Sequence, residues 1–271
     1  MKVLLILAHP EPRSLNASLY NLIHVELEQQ GHEIQTSDLY RMQWKPQADR
    51  DDFGDLRGRT DTRLKVTQAS FSSYASGTLT EDVKKEQSKL VWADFVILIF
   101  PIWWFSFPAI LKGWVDRVFA KNFAYGTGDK SGTTINGSRL EGKRGMVVTT
   151  VGGKTPSYSA RGIHGPIDDV LFPINHGVLH FTGFEVLPPI VVYDADNVDD
   201  ARFDHLVTEI RARVCTLDST APIPFRTSRG GDYLPDLTLR DGVEREVLVL
   251  HYIALCNQSK KIHISPCLSQ V

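Results

Sequence analysis

The chain has 271 residues, 42% of them hydrophobic, enough to bury one substantial core and better read as one α/β domain with an appendage than as two equal domains. Thirty basic residues against 32 acidic ones give a net charge of −2, which leaves no electrostatic footprint for nucleic acid or an anionic membrane and favours small partners. The three cysteines, Cys215, Cys256 and Cys267, lack C-x-x-C spacing, and no apolar run reaches the roughly eighteen residues of a membrane span, so a cytoplasmic protein with unpaired thiols is expected.

Lys2 leads into the apolar run Val3–Leu7, too short for a signal-peptide core and bounded by His9-Pro10, which predicts a strand buried on both faces. Leu15, Leu19, Leu22, Ile23 and Leu27 then recur at helical spacing, with Ser14 or Asn16 as N-cap and Gly31 as C-cap. Glu33–Thr36 reads as a short strand. The polar stretch from about Arg41 to Gly77 is long for a compact domain and reads as an insertion bordering a site or an oligomer contact, or carrying structure of its own.

A helix is predicted from near Thr80, a fully apolar strand over Phe95–Phe100, a helix over Pro108–Phe119 and a strand over Met146–Thr150. A helix over Ile167–Leu179, a strand over Glu185–Val192 and a helix over Asp199–Leu217 complete at least five βα units. This alternation specifies a doubly wound, five-stranded parallel sheet over residues 1–220. From 221 to 271 the pattern dissolves into a partly irregular extension, in which Val247–Cys256 reads as a strand or short helix.

Ligands of such a sheet bind outside the carboxyl ends of its strands, near the point where strand order reverses, which selects three loops. His9–Asn16 lacks both the G-x-G-x-x-G turn and the G-K-[ST] of a P-loop, yet sets hydroxyl, amide, arginine and histidine groups at a helix N-terminus, where phosphate is attracted; a capped turn with two prolines is the simpler reading of this loop alone. Phe100–Pro108 packs five aromatics into nine residues between prolines, too many to face inward together, so some should line a cleft for a planar ligand. Thr150-Val151-Gly152-Gly153 allows close backbone approach and is followed by two proton carriers, Tyr158 and His164, which without the other loops read as a packing residue and a helix cap. His176 and His180 stand at i, i+4, but two ligands make no metal site without a third.

Four separated blocks carry a resemblance. They are Ala8-His9 with Ser14-Leu15-Asn16; Phe100-Pro101, Trp104-Phe105 and Pro108–Trp114 through Arg117-Val118-Phe119; Phe123-Ala124-Tyr125; and Gly152-Gly153, Tyr158-Ser159 and Gly162–Gly165. From Lys2 to Phe225 the chain resembles the NAD(P)H quinone dehydrogenases (DT-diaphorases) of the flavodoxin-like fold. The resemblance implies FAD, its phosphates near His9, Ser14, Leu15 and Asn16 with Ser18 and Arg202 at matching positions. It implies an isoalloxazine between Pro101, Ile102, Trp103, Trp104 and Phe105 on one side and Thr150, Val151, Gly152 and Gly153 on the other.

By the same resemblance Tyr158 and His164 are the catalytic pair that bonds the flavin and stabilises charge appearing there on reduction. NAD(P)H and a quinone would use one pocket in turn, a ping-pong scheme, with Trp104, Phe105, Phe181 and, across a homodimer contact, Tyr125 lining it. Asp116 stands where relatives often place a glutamate toward the partner's FAD. Trp103, Thr127 and Pro166 depart from the family pattern, and Phe225 replaces the cysteine of its zinc-carrying branch, so no zinc is expected at His176 and His180. An FMN- or FAD-dependent azo or nitro reductase, and a redox-sensing regulatory subunit, are the alternatives.

Overall fold

The structure, a computed structural model, describes residues 1–126, 138–227 and 230–243. Strands β1 (Lys2–Leu7), β2 (Glu33–Asp38), β3 (Phe95–Pro101) and β4 (Arg144–Thr150) alternate with helices α1 (Leu15–Gln29), α2 (Val66–Ser76), α3 (Glu81–Trp92) and α4 (Ala109–Val118). Beyond β4 come α5 (Ile167–Ile174), β5 (Glu185–Val186), β6 (Ile190–Val192) and α6 (Asp200–Val214). All pairings are parallel, in the order β2-β1-β3-β4-β5, and β6 also pairs with β4. This is the flavodoxin-like order, and its reversal lies between β1 and β3.

The described residues form two compact units, one of residues 1–155 with 172–225, the other of residues 156–171 with the described residues after 225. The sheet and its core lie in the first. β1 and β3 are buried almost throughout, which is why their sequences run apolar without alternation. Leu19, Ile23 and Leu27 of α1 share a core with Ile210 and Val214 of α6. A 2.6 Å ion pair between Glu26 and Arg211 ties the same two helices at their edge. Among the described residues no helix is long and apolar enough to cross a membrane.

The predicted strand over Glu185–Val192 is two short strands. Pro188 and Pro189 interrupt it, because neither has an N–H to give the ladder, and β5 and β6 pair with opposite ends of β4 as one broken fifth strand. The predicted helix over Ile167–Leu179 keeps α-form only to Ile174; with Pro173 inside it, the chain widens over Asn175–Leu179 into i→i+5 bonding. Gln30, not Gly31, caps α1, and Gly31 follows in the left-handed conformation at φ +76°. Residues 41–77 carry α2 and two short helical turns. Val247–Cys256 and Thr127 lie outside the described residues.

That stretch is fastened to the sheet layer by Arg117 of α4. Its guanidinium, 2% exposed, bonds Asp52 at 2.8 Å and Asp82 at 2.7 Å and lies 4.5 Å over the Trp44 ring. Nearby, Gly113 is a necessity: a Cβ there would stand 2.1 Å from the Pro46 carbonyl oxygen. Removing the cation strands a buried carboxylate, so Arg117→Met should lower the unfolding free energy by about 3–5 kcal/mol. Urea titration checks this, and a loss under ~1 kcal/mol would show Asp52 satisfied by Lys45 alone.

Candidate active site

At the sheet's carboxyl edge the three predicted loops meet. Ser14 caps α1, its Oγ accepting the Ala17 N–H at 3.2 Å, while the Ser18 Oγ donates to the Ser14 carbonyl at 3.2 Å. Leu15 and Asn16 therefore occupy the first helical positions, whose N–H groups have no acceptor within the helix and face the positive end of its dipole. Asn16 is buried rather than presented to solvent: its Nδ2 donates to Thr150 Oγ1 at 2.8 Å, and its Oδ1 is buried without a partner. His9 Nδ1 lies 3.1 Å from the Glu11 backbone nitrogen and 3.2 Å from the Glu11 carbonyl oxygen, so the ring is anchored to the backbone of the first loop. The ring stands 6.2 Å from that of Trp103.

The aromatic loop divides as its prolines require. Phe100 and Phe107 turn inward with ring centroids 5.0 Å apart, while Trp103, Trp104 and Phe105 are exposed, Trp104 to 95%. Ile102 N–H donates to the Thr150 carbonyl at 2.9 Å, and Trp103 and Ser106 exchange both backbone bonds at 3.1 Å. Trp104 and Phe105, at φ +51° and +59°, are the central pair of this turn. Two positive φ values define a type I′ turn, a conformation suited to Asn and Gly that costs a bulky L-residue about 1–2 kcal/mol each. Pro101 is buried beneath it.

Behind β4, Val151 N–H donates to Val192 O at 2.9 Å and Asp194 N–H to Gly153 O at 2.9 Å. A Cβ on Gly152 would meet only Asp196 Oδ2, at 3.7 Å, so open space lies before it. Arg202, at the start of α6, sends its guanidinium to the carbonyls of Tyr193 and Asp194 and stiffens the loop after β6. Tyr125 and Phe181 stand 6.3 Å apart, and burial pushes the Tyr125 phenol up against the opposing hydrogen bond of Thr67. Asp116 is paired with Lys112 at 2.6 Å.

In the second unit Tyr158 and His164 lie with ring centroids 5.0 Å apart. The pair is set by a tight loop: His164 N–H donates to Ser157 O at 2.9 Å, and a Cβ on Gly162 would stand 2.3 Å from that same oxygen. Burial pushes the Tyr158 phenol up, keeping it a proton donor at neutral pH.

The widened end of α5 brings His176 and His180 to 5.3 Å, and the Phe225 ring stands 5.2 and 5.1 Å from them. Phe172 stacks on His176 at 4.6 Å. Among the described residues no three His, Cys, Asp or Glu side chains gather as a metal site. The sequence reading did not anticipate the Asn16–Thr150 bond or the strained turn; the aromatic density around Trp104 was the only trace of the second.

The sequence matches the family described as having the flavodoxin-like fold over residues 1–214. It is 51% identical over 246 residues to a ribosyldihydronicotinamide dehydrogenase-like protein of Penicillium crustosum, covering 89% of this chain and 90% of that one. It is 35% identical over 229 residues to NAD(P)H dehydrogenase [quinone] 1 of Rattus norvegicus, covering 84% and 81%. A solved structure of a candidate quinone reductase from Klebsiella pneumoniae superposes with a TM-score of 0.86 at 49% identity, covering 92% of this chain and 99% of that one.

Two outcomes follow from the geometry. Trp104 is 95% exposed, so Trp104→Gly should relieve more left-handed strain than it adds in chain entropy, raising the unfolding free energy of the cofactor-free chain by roughly 0.5–1 kcal/mol. A fall in denaturant titration would show the ring to be held by contacts. Burial, then His180, hold His176 below the ordinary imidazole value of 6.5. Its contribution to stability is thus complete above about pH 6.5 and lost as pH falls through the lower folded value. His176→Phe should flatten the acid side of the Tm–pH curve, and an unchanged slope would sink this assignment. By sequence family, by the relatives it matches and by the order of its strands, the chain belongs to the flavodoxin-like family of NAD(P)H and ribosyldihydronicotinamide dehydrogenases.

Proposed function

We propose that the chain is an FAD-dependent quinone reductase that takes reducing equivalents from NAD(P)H and passes two electrons to a quinone in a ping-pong scheme, working as a cytoplasmic homodimer. The observation that supports it most is the exposed turn Trp103–Ser106, held in a strained conformation beside the open face of Gly152 and the N-terminus of α1. Two exposed aromatics held in the left-handed region are costly, and strain of this kind clusters at ligand sites.

The donor set suits a flavin nucleotide. Unpaired helix-start N–H groups and the His9 imidazole suit its phosphates, with Ser14, Leu15, Asn16, Ser18 and Arg202 around them; the buried, unpartnered Asn16 Oδ1 offers an acceptor. Pro101, Ile102, Trp103, Trp104 and Phe105 would face a planar ring from one side, and Thr150, Val151, Gly152 and Gly153 from the other. Such a flavin supplies reversible two-electron chemistry between a reduced nicotinamide and an acceptor.

The chain's own contribution is placement and charge. Trp104, Phe105 and Phe181, with Tyr125 of the second subunit, form an apolar slot that excludes water and stacks a flat substrate. Tyr158, kept protonated by burial, and His164 donate hydrogen bonds where negative charge develops. No metal enters the scheme.

The name of the Penicillium crustosum relative raises a second donor, a reduced ribosyl nicotinamide lacking the adenylate half. Purified protein should be yellow, release FAD on acid treatment and reduce menadione, with NADH, NADPH and ribosyldihydronicotinamide compared as donors. Colourless protein that fails to retain added FAD would refute the reading, and released FMN would favour the azo- or nitro-reductase alternative. Tyr158→Phe with His164→Gln should slow flavin reduction in stopped flow by about 100-fold. An unaltered rate would return the regulatory-subunit alternative to the front.

A further inference from the structure

Helix α3 buries Val83 and Leu90 and turns a second stripe onto a cleft of about 490 Å³. Lys84, Gln87, Ser88, Val91 and Trp92 form that stripe, at i, i+3, i+4, i+7 and i+8, the spacing of one helix face. Tyr74 and Gly77 line the cleft from the end of α2, and the buried Phe123 ring lines it from the turn after α4. All of these residues belong to the first unit. Trp92 ends α3 just before β3 begins at Phe95, so this end of the cleft stands at the amino edge of the sheet, away from the carboxyl edge of the candidate active site.

The walls are tied to one another. Gln87 Nε2 donates to the Val118 carbonyl at 2.9 Å, and the Lys84 ammonium reaches the Gly77 carbonyl at 3.4 Å, which joins α3 to the end of α2. The Tyr74 and Phe123 rings stand 5.6 Å apart, and the Arg139 N–H donates to the Phe123 carbonyl at 3.0 Å. Charge in the cleft is of one sign: Lys84 and Arg139 line it, and no Asp or Glu does among the described residues, although the chain has 32 of them. Glu81 already pairs with Lys84. Arg139 is exposed, and among the described residues no carboxylate pairs with it.

We propose that this cleft is a second binding site, for a planar aromatic carboxylate whose ring lies against Tyr74 and Trp92 over Phe123 and whose acid group meets the Arg139 guanidinium. Its volume falls in the range of about 300–1,000 Å³ usual for small-molecule sites, which join mostly apolar walls to a few polar groups. Aromatic walls favour a flat ring, and the guanidinium fork matches the two oxygens of a carboxylate. A simple inorganic anion would leave the rings unused, and a neutral aromatic would leave the cation unanswered.

The test titrates the full chain, saturated with FAD, with 2-naphthoate in a calorimeter, as wild type, Arg139→Gln, Val91→Glu and Ser88→Trp. Val91 and Ser88 are exposed, so neither change disturbs the core. Wild type should bind one naphthoate per chain. Affinity should fall roughly three- to tenfold in Arg139→Gln, the worth of one hydrogen bond. Binding should be lost in Val91→Glu, which sets a carboxylate against the ligand's own, and in Ser88→Trp, which fills the space. The neutral 2-naphthalenemethanol should bind more weakly and lose nothing in Arg139→Gln. In 15N-labelled wild type, naphthoate should shift the indole N–H signal that Trp92→Phe removes. Menadione reduction should stay at the wild-type rate in Val91→Glu. Absence of naphthoate binding to wild type at millimolar concentration overturns the proposal. So does equal affinity in Arg139→Gln, which removes the anion from the assignment, and so does binding that survives both Val91→Glu and Ser88→Trp, which seats the ring elsewhere.

Discussion

Everything that this protein presents at its candidate site depends on the place where β1 meets β3. A parallel sheet leaves the carboxyl ends of its strands on one edge, and because the chain goes outward to β2 first and then returns to β3, two successive connections leave that edge in opposite directions. The gap between them is where the start of α1 and the turn Trp103–Ser106 stand side by side. Three hydrogen bonds hold the gap to a fixed width: Ala8 N–H to Ile99 O at 2.9 Å, Ile102 N–H to Thr150 O at 2.9 Å, and Asn16 Nδ2 to Thr150 Oγ1 at 2.8 Å. Thr150 takes part in two of them, so the end of β4 is the common abutment of both loops.

On this rigid edge the protein can hold strain. Strands β1, β3 and β4 beneath are buried almost throughout, and a core of that kind supplies far more than the few kcal/mol lost by two aromatics with positive φ. The same economy explains the buried Oδ1 of Asn16, a polar atom whose desolvation costs about 1–3 kcal/mol until something bonds it. Both departures from the relaxed state sit within one cleft, and strain of this sort collects where a ligand is to be met.

The stretch from 41 to 77 shows how a segment with no regular pattern acquires a role. Its backbone is pinned from below by Arg117, whose charge is matched by Asp52 and Asp82 and capped by Trp44. From there α2 reaches the turn after α4, through the Ser70 bond to the Lys121 N–H and the Tyr74 ring against Phe123. Its helical stripe is weakly amphipathic because its targets are a backbone N–H, a lysine and a single buried ring, and a pattern of that kind leaves little mark on hydrophobic spacing.

Much was legible in the chain alone. The continuous apolar runs Val3–Leu7 and Phe95–Phe100 read as doubly buried strands, and their alternation with helical patterns specifies a doubly wound parallel sheet with right-handed crossovers, while the order β2-β1-β3-β4-β5 came from the structure. The crowding of aromatics between Pro101 and Pro108 forced some of them outward. What only the tertiary structure decided is of another kind: the break of the fifth strand at Pro188-Pro189, the widened end of α5 at Pro173, the left-handed pair Trp104-Phe105, and the partners of Asn16 and Arg117. Strands and helices follow from near neighbours in sequence, through periodicity and propensity. Partners 134 residues apart in the chain, as Asn16 and Thr150 are, exist only once the sheet has set the distance between them.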